Sequence, residues 1–245
     1  MKFIKHPSPN FDDRRGGRKP EVIIIHYTSM DSTEVAIERL CDPVHKVSCH
    51  YLIDEKGNVY EMVEETKRAW HAGVSSWSGE GDLNSRSIGI ELSNRRHEPY
   101  TPEQLTALIL LCQDLIHRHD IKPRNVIGHS DIAPDRKQDP GAHFPWEKMA
   151  LEHGIGYWPM PSLRDKFNAK AAAKRPEKIK KLFTAAGYGV DAFGKDVPSF
   201  KELVTAFQRH FEPEVFAKPE RVGIPTARTV AKLRALARKN KGQKP

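Results

Sequence analysis

Residues 22–27 read VIIIHY, a β-branched run, Val22 to Ile25, that ends in His26 and Tyr27. Four successive apolar side chains leave no polar face, as in a strand buried on both sides. The loop-forming GGRKP at 16–20 precedes it. Working outward, Tyr51–Ile53 and Val59–Val63 flank DEKGN, where Gly57 and Asn58 supply the left-handed conformations of a tight turn, so the pair reads as a hairpin. SIGIEL, Ser87 to Leu92, is another strand, and NVIGH, Asn125 to His129, a short strand running into a loop. The clearest helix is Thr101 to His119. Thr101 is its N-cap, Pro102 takes the first helical position and Gln104 completes a capping box. Leu105, Leu108, Ile109, Cys112, Leu115 and Ile116 form its apolar stripe. A smaller helix is expected over Pro145 to His153.

At 245 residues the chain has room for one medium domain and a small one. The longest apolar stretch, Ala107 to Cys112, is far short of the roughly 18 residues of a spanning helix, which excludes a membrane span. MKFIKHPSPNFDDRRGGRKP has no apolar h-region, so the expected compartment is cytoplasmic, or periplasmic if a signal was trimmed. Cys41, Cys49 and Cys112 are an odd number, against a disulfide framework, and Cys112 falls on the helix's apolar face. From Pro161 onward there are 20 Lys+Arg against 8 Asp+Glu, whereas residues 1–160 carry 20 against 24. All four tryptophans also lie before Pro161. These shifts divide the chain into a domain over 1–160, a linker and helix over 161–180, and a helical module over 181–245. In that module Ser199 caps a helix with Phe200, Leu203, Val204, Phe207 and Phe211 on one face, and Thr226 caps another with Val230, Leu233 and Leu236 inward. The basic tail lacks aromatic-interleaved strands or a recognition-helix pattern, so no nucleic-acid partner is expected.

Twelve histidines need sorting. His26 ends the buried run and His129 ends NVIGH. Asp139 follows ten residues later, in HSDIAPDRKQDPG, a segment whose prolines and loop formers let the chain turn back toward its own start. Two neutral imidazoles and a carboxylate at strand ends make a three-ligand zinc site with an open fourth position, the arrangement of catalysis. There is no HExxH helix and no CxxC pair. Spacing alone does not separate such a site from histidines that fill a core or solvate a surface.

The motifs VIIIHYTSM, VSCHYLIDEKGNVYEMV, RAWHAG, LNSRSIGIEL and GHSDIAPDRKQDPGAHFPW, in this order over roughly residues 20–160, resemble the zinc-dependent N-acetylmuramoyl-L-alanine amidase family, which includes peptidoglycan recognition proteins and phage lysozyme-type amidases. The resemblance implies a mixed central β-sheet flanked by helices, with zinc (Zn2+) held by His26, His129 and Asp139. It implies hydrolysis of the amide between N-acetylmuramic acid, in its ordinary or 1,6-anhydro form, and L-alanine, with peptidoglycan fragments or muropeptides as partners. The alternative is a module that recognises them without cutting.

Amide hydrolysis needs a base for the water proton and a cation for the oxyanion. Glu91 matches the family's catalytic glutamate and sits in the apolar SIGIEL run, where desolvation would raise its pKa. Lys137 would stand by the oxyanion; its bland reading is a surface lysine. Cys49 replaces a tyrosine that some members use, and is read as an inert filler. His50, Arg68, Trp70, His71, Asn84 and Arg86 resemble groove-lining positions for substrate, with Trp70 equally readable as a buried anchor. His6, His45, His97, His117, His119, His143, His153 and His210 are left as surface or capping residues. GYGVD, AFQRHF and GIPTARTVAKL in the tail resemble a three-helix peptidoglycan-binding domain, with Glu212-Pro-Glu-Val-Phe and Lys218-Pro in place of the usual glycine-rich central loop.

Overall fold

In the computed structural model, which describes residues 2–96, 98–190 and 197–241, the decisive run is strand β3 (Val22–Tyr27), numbered after β1 (Phe3–Lys5) and β2 (Phe11–Asp13). Val22 to Ile25 are fully buried, as a strand covered on both faces requires. With β1, β4 (Tyr51–Ile53), β5 (Val59–Glu61), β7 (Ser87–Leu92) and β8 (Val126–Gly128) it builds a six-stranded mixed sheet in the order β1-β5-β4-β7-β3-β8. β4 and β5 pair antiparallel; every other pair is parallel. β2 pairs with β6 (Lys67–Ala69) in a separate antiparallel ribbon. Helices α1 (Thr33–Cys41), α2 (Leu83–Arg86), α3 (Pro102–His119), α4 (His129–Ile132) and α5 (Trp146–His153) complete this part of the chain.

The hairpin forms as expected, but only Gly57 is left-handed, with φ +80°. Asn58 is held instead by the Asp54 carboxylate, which accepts from Lys56 N–H, Asn58 N–H and the Asn58 side-chain amide. A Cβ on Gly57 would come within 2.8 Å of the Glu103 carbonyl oxygen. Thr101 caps α3 by accepting from Gln104 N–H, but Gln104 does not close a capping box. Its side-chain amide turns inward and donates to the carbonyls of Ile53 and Ser93, each at 3.0 Å; the Ile53 carbonyl also accepts from Ser93 N–H. The stripe of α3 is rotated accordingly. Ala107, Leu108, Leu111, Cys112 and Leu115 are buried, while Leu105, Ile109 and Ile116 are half-buried.

The chain divides into two compact units. One is Met1–Gly73, Asp82–His129 and Asp139–Tyr157; the other is Val74–Gly81, Ser130–Gln138 and Trp158–Pro245. Two short inner segments thus pack with the tail, which the division at 160 did not foresee. The expected linker over 161–180 is mostly helical: α6 (Leu163–Ala172) starts on a capping box between Ser162 and Asp165, and α7 (Pro176–Ala186) follows. With α8 (Phe200–Phe211) and α9 (Ala227–Lys241) they form the second unit's core around Phe183, Phe207 and Phe211. Gln208 of AFQRHF donates to the Ile224 carbonyl and accepts from Gly223 N–H, so that motif holds a turn. His210, expected at the surface, is buried, its Nδ1 2.7 Å from Asp131 Oδ2, and the Tyr188 hydroxyl donates to Oδ1 of the same carboxylate. His97 and Asp191 of GYGVD lie outside the described residues. No helix among the described residues is long and apolar enough to cross a membrane.

In the first unit, burial and then the nearby Arg14 hold the His50 imidazole down to about 3. Burial works to raise the Glu65 carboxyl, but hydrogen bonds from Arg118, Tyr51 and His119 outweigh it and hold Glu65 down to about 2. Both groups bind fewer protons folded than unfolded once the pH drops below their ordinary values of 6.5 and 4.5. Thermal unfolding followed by circular dichroism should therefore show the melting temperature falling from pH 6.5 downward and more steeply below 4.5, and Glu65→Gln should make the part below 4.5 shallower. Gln104→Leu should cost about 1–3 kcal/mol in urea unfolding, since it removes both bonds of the Gln104 amide and takes the Gln104 donor from the Ser93 carbonyl; a neutral result would contradict that account.

Candidate metal centre

Strand register assembles the centre. Ile25 pairs with Gly128, so His26 and His129 leave adjacent parallel strands side by side. On the other flank His26 pairs with Glu91, whose side chain in-register pairing puts on the same face of the sheet. The carboxyl ends of parallel strands are where open α/β sheets offer a crevice to ligands. The chain then returns through 130–138 to bring in Asp139.

Nδ1 of His26 and Nδ1 of His129 lie 2.9 Å apart, and they stand 2.9 and 3.0 Å from Oδ2 of Asp139. All three residues are buried. His129 Nε2 lies 3.1 Å from the Ala72 carbonyl oxygen, which can only accept, so the proton of the neutral ring sits on Nε2 and Nδ1 is a lone pair. A lone pair and a carboxylate oxygen 3.0 Å apart repel unless a cation lies between them. Two imidazole nitrogens and one carboxylate oxygen form a donor set suited to zinc. Among the described residues this is the one cluster of His, Cys, Asp or Glu groups able to hold a metal ion.

The other residues singled out by sequence divide clearly. Glu91 is half-buried, with Oε2 inside the protein. Lys137 is half-exposed, in the segment that packs with the second unit. His50 reaches no groove: it is fully buried, accepts from Gly89 N–H on Nδ1 and faces the Lys67 carbonyl with Nε2. Arg68 is occupied by both oxygens of Asp12, at 3.0 and 3.2 Å, and by Asp82 at 3.0 Å. Trp70 is half-buried and donates its indole N–H to Asp12, the anchoring reading. Arg86 is buried and pairs with Glu21 at 2.5 Å. Asn84 and His71 lie behind the metal cluster: Asn84 Oδ1 accepts from the backbone N–H groups of His71 and Ala72, and His71 Nδ1 is 3.0 Å from His26 Nε2. Cys49 is buried, and burial pushes its thiol well up, as an inert filler requires.

Sequence reasoning missed Arg14. Its buried guanidinium donates to the carbonyls of Glu65, Ser85 and Ser87, tying the entry of β7 to the ribbon. An arginine in a polar, glycine-rich stretch gives no signal of burial.

Residues 16–142 match the family model described as N-acetylmuramoyl-L-alanine amidase. The N-acetylmuramoyl-L-alanine amidase AmiD of Escherichia coli is 39% identical over 214 residues, 80% of this chain and 76% of that protein. The 1,6-anhydro-N-acetylmuramyl-L-alanine amidase AmpD of Enterobacter cloacae is 39% identical over 160 residues, 58% of this chain and 86% of that one. Among solved structures, E. coli AmiD in complex with the substrate anhydro-N-acetylmuramic acid-L-Ala-D-gamma-Glu-L-Lys gives a TM-score of 0.76 at 33% identity, covering 94% of this chain and 98% of that chain. AmpDh3 of Pseudomonas aeruginosa gives 0.76 at 32%, covering 92% and 94%. A model matched over more than half of the sequence, and a relative this similar over most of its length, put the chain in the N-acetylmuramoyl-L-alanine amidase family.

Proposed function

We propose that this chain hydrolyses the amide between N-acetylmuramic acid, including its 1,6-anhydro form, and the L-alanine of a peptidoglycan stem peptide, using zinc held by His26, His129 and Asp139. The observation that carries this reading is the convergence of two imidazole nitrogens and a carboxylate within 3.0 Å of one another at the ends of adjacent strands. A zinc ion bound there supplies Lewis acidity, which polarises an amide carbonyl and makes water a nucleophile at neutral pH. Glu91, in register with His26, accepts the proton that water loses and passes it to the leaving amine. Lys137, two residues before Asp139, brings a positive charge to the oxygen that gains charge as the carbonyl is attacked. The proposed substrate follows from the activities of the AmiD and AmpD relatives and from the anhydromuramyl peptide bound to AmiD.

The full chain should carry about one zinc, and His26→Ala, His129→Ala and Asp139→Ala should each lose the metal and the activity. Metal content by elemental analysis checks this, and unchanged zinc in His129→Ala would remove His129 from the ligand set. Glu91→Gln should keep zinc yet lose on the order of 10²-fold or more in turnover on a muropeptide, read by mass analysis. A fully active Glu91→Gln would end its role as base. Uncut muropeptide with metal-replete protein would leave recognition without cleavage. Assays on soluble fragments and on intact sacculi also decide where the enzyme meets its substrate.

A further inference from the structure

The zinc reading assigns three ligand atoms but leaves unexplained why both histidines present the same nitrogen, Nδ1. A neutral imidazole carries one proton and can place it on either nitrogen; only the bare nitrogen can bind a metal. We propose that the segment His71–Ala72, held by Asn84 and Ser87, is a tautomer clamp that fixes the ring proton of both His26 and His129 on Nε2. This inference rests on the zinc reading above.

The hydrogen bonds around His71 allow one assignment for a chain of neutral rings. Ser87 Oγ lies 2.5 Å from the Leu83 carbonyl oxygen, which only accepts, so the hydroxyl proton is spent there. Ser87 Oγ is then an acceptor toward His71 Nε2, 3.2 Å away, and His71 carries its proton on Nε2. His71 Nδ1 is therefore a lone pair, and it faces His26 Nε2 at 3.0 Å. His26 must donate from Nε2, which strips Nδ1 for the metal. Ala72, the next residue, does the same for His129 through its carbonyl oxygen, 3.1 Å from Nε2. One dipeptide thus sets both rings, one through a side chain and the other through its backbone.

The clamp is itself held rigidly. Asn84 Oδ1 accepts from His71 N–H at 3.0 Å and from Ala72 N–H at 2.7 Å, fixing the dipeptide backbone. Gly89 in β7 lies against the His71 ring so closely that a Cβ there would come within 2.5 Å of ring atoms. The His26 and His71 rings meet edge to face, with centroids 5.1 Å apart and planes at 86°. Asn84 and His71 are thereby positioning residues, acting through the two ligands rather than on substrate. Outer partners of this kind typically change metal affinity about 10–100-fold.

The test reads protonation and metal affinity in the full chain. Long-range ¹H–¹⁵N correlation on the unmodified protein at neutral pH, with and without zinc, should show the Nε2–H form for His26, His71 and His129. Zinc affinity measured by chelator competition should fall about 10–100-fold in His71→Phe and in Asn84→Leu, whereas Asn84→Asp, which keeps the oxygen acceptor, should stay near the unmodified value. A proton on His71 Nδ1, or unaltered affinity in a folded His71→Phe, overturns the clamp. If a variant does not fold, the tautomer measurement on the unmodified chain still decides. Unmodified protein that binds no zinc would instead remove the metal reading, which the clamp's failure alone would not.

Discussion

The centre depends on the parallel pairing of β3 with both β7 and β8. That register sets His26 across from Glu91 and leaves His129 as the residue after the pair Ile25 and Gly128. Strand side chains alternate with a period of two, so a slip by one residue would send His26 to the opposite face and bury Tyr27 in its place. The slip is opposed by Val22 to Ile25 and by Ile88 and Ile90, all fully buried, whose packing would be lost with it. The apolar core therefore holds the geometry of the His26, His129 and Asp139 cluster.

A second constraint is electrical. His26, His71, His50 and His129 crowd a small interior volume, with His71 5.1 Å from His26 and 5.6 Å from His50 between ring centroids. Were several of them protonated, their mutual repulsion in a poorly solvated interior would cost far more than the fold can spare. Burial, then the neighbouring imidazoles, hold His71 well below its ordinary value. Of the arginines nearby, Arg68 is matched by Asp12 and Asp82 and Arg86 by Glu21, while Arg14 stands 3.1 Å from His50 and adds to burial in holding that ring neutral. Arg68 and Arg86, read from sequence as groove-lining positions, serve this balance.

The sheet was legible because its strands announce themselves by continuous apolar runs: Val22–Tyr27 and Ser87–Leu92 begin and end where the sequence places them. The helix over Pro102–His119 was legible from its cap and proline, but its rotation was not, since the Gln104 amide turns inward to the carbonyls of Ile53 in β4 and Ser93 just past β7. His26, His129 and Asp139 came from motif resemblance more than from spacing, and the structure brings them together. The roles of His71, Asn84 and Arg14 were illegible for one physical reason. Each is defined by which backbone carbonyl or ring nitrogen faces it, a matter of tertiary placement that leaves no periodic trace. His210 was misread likewise, because its partner Asp131 is distant in sequence.

The segments Val74–Gly81 and Ser130–Gln138 pack with the tail, although they interrupt the other unit in sequence. The Trp77 ring stands 5.4 Å from Tyr188, Asp131 receives both the Tyr188 hydroxyl and His210, and a Cβ on Gly189 would come within 2.8 Å of Ser76. A tail appended by simple gene fusion would share one crossing with its host; here the chain passes between the units five times. The two parts are spliced rather than joined, so a single cut near residue 160 would not separate the two units. Removing the chain beyond it would take Tyr188 from beside Trp77 and remove both Tyr188 and His210 from Asp131, three contacts that tie the inner segments to the tail helices.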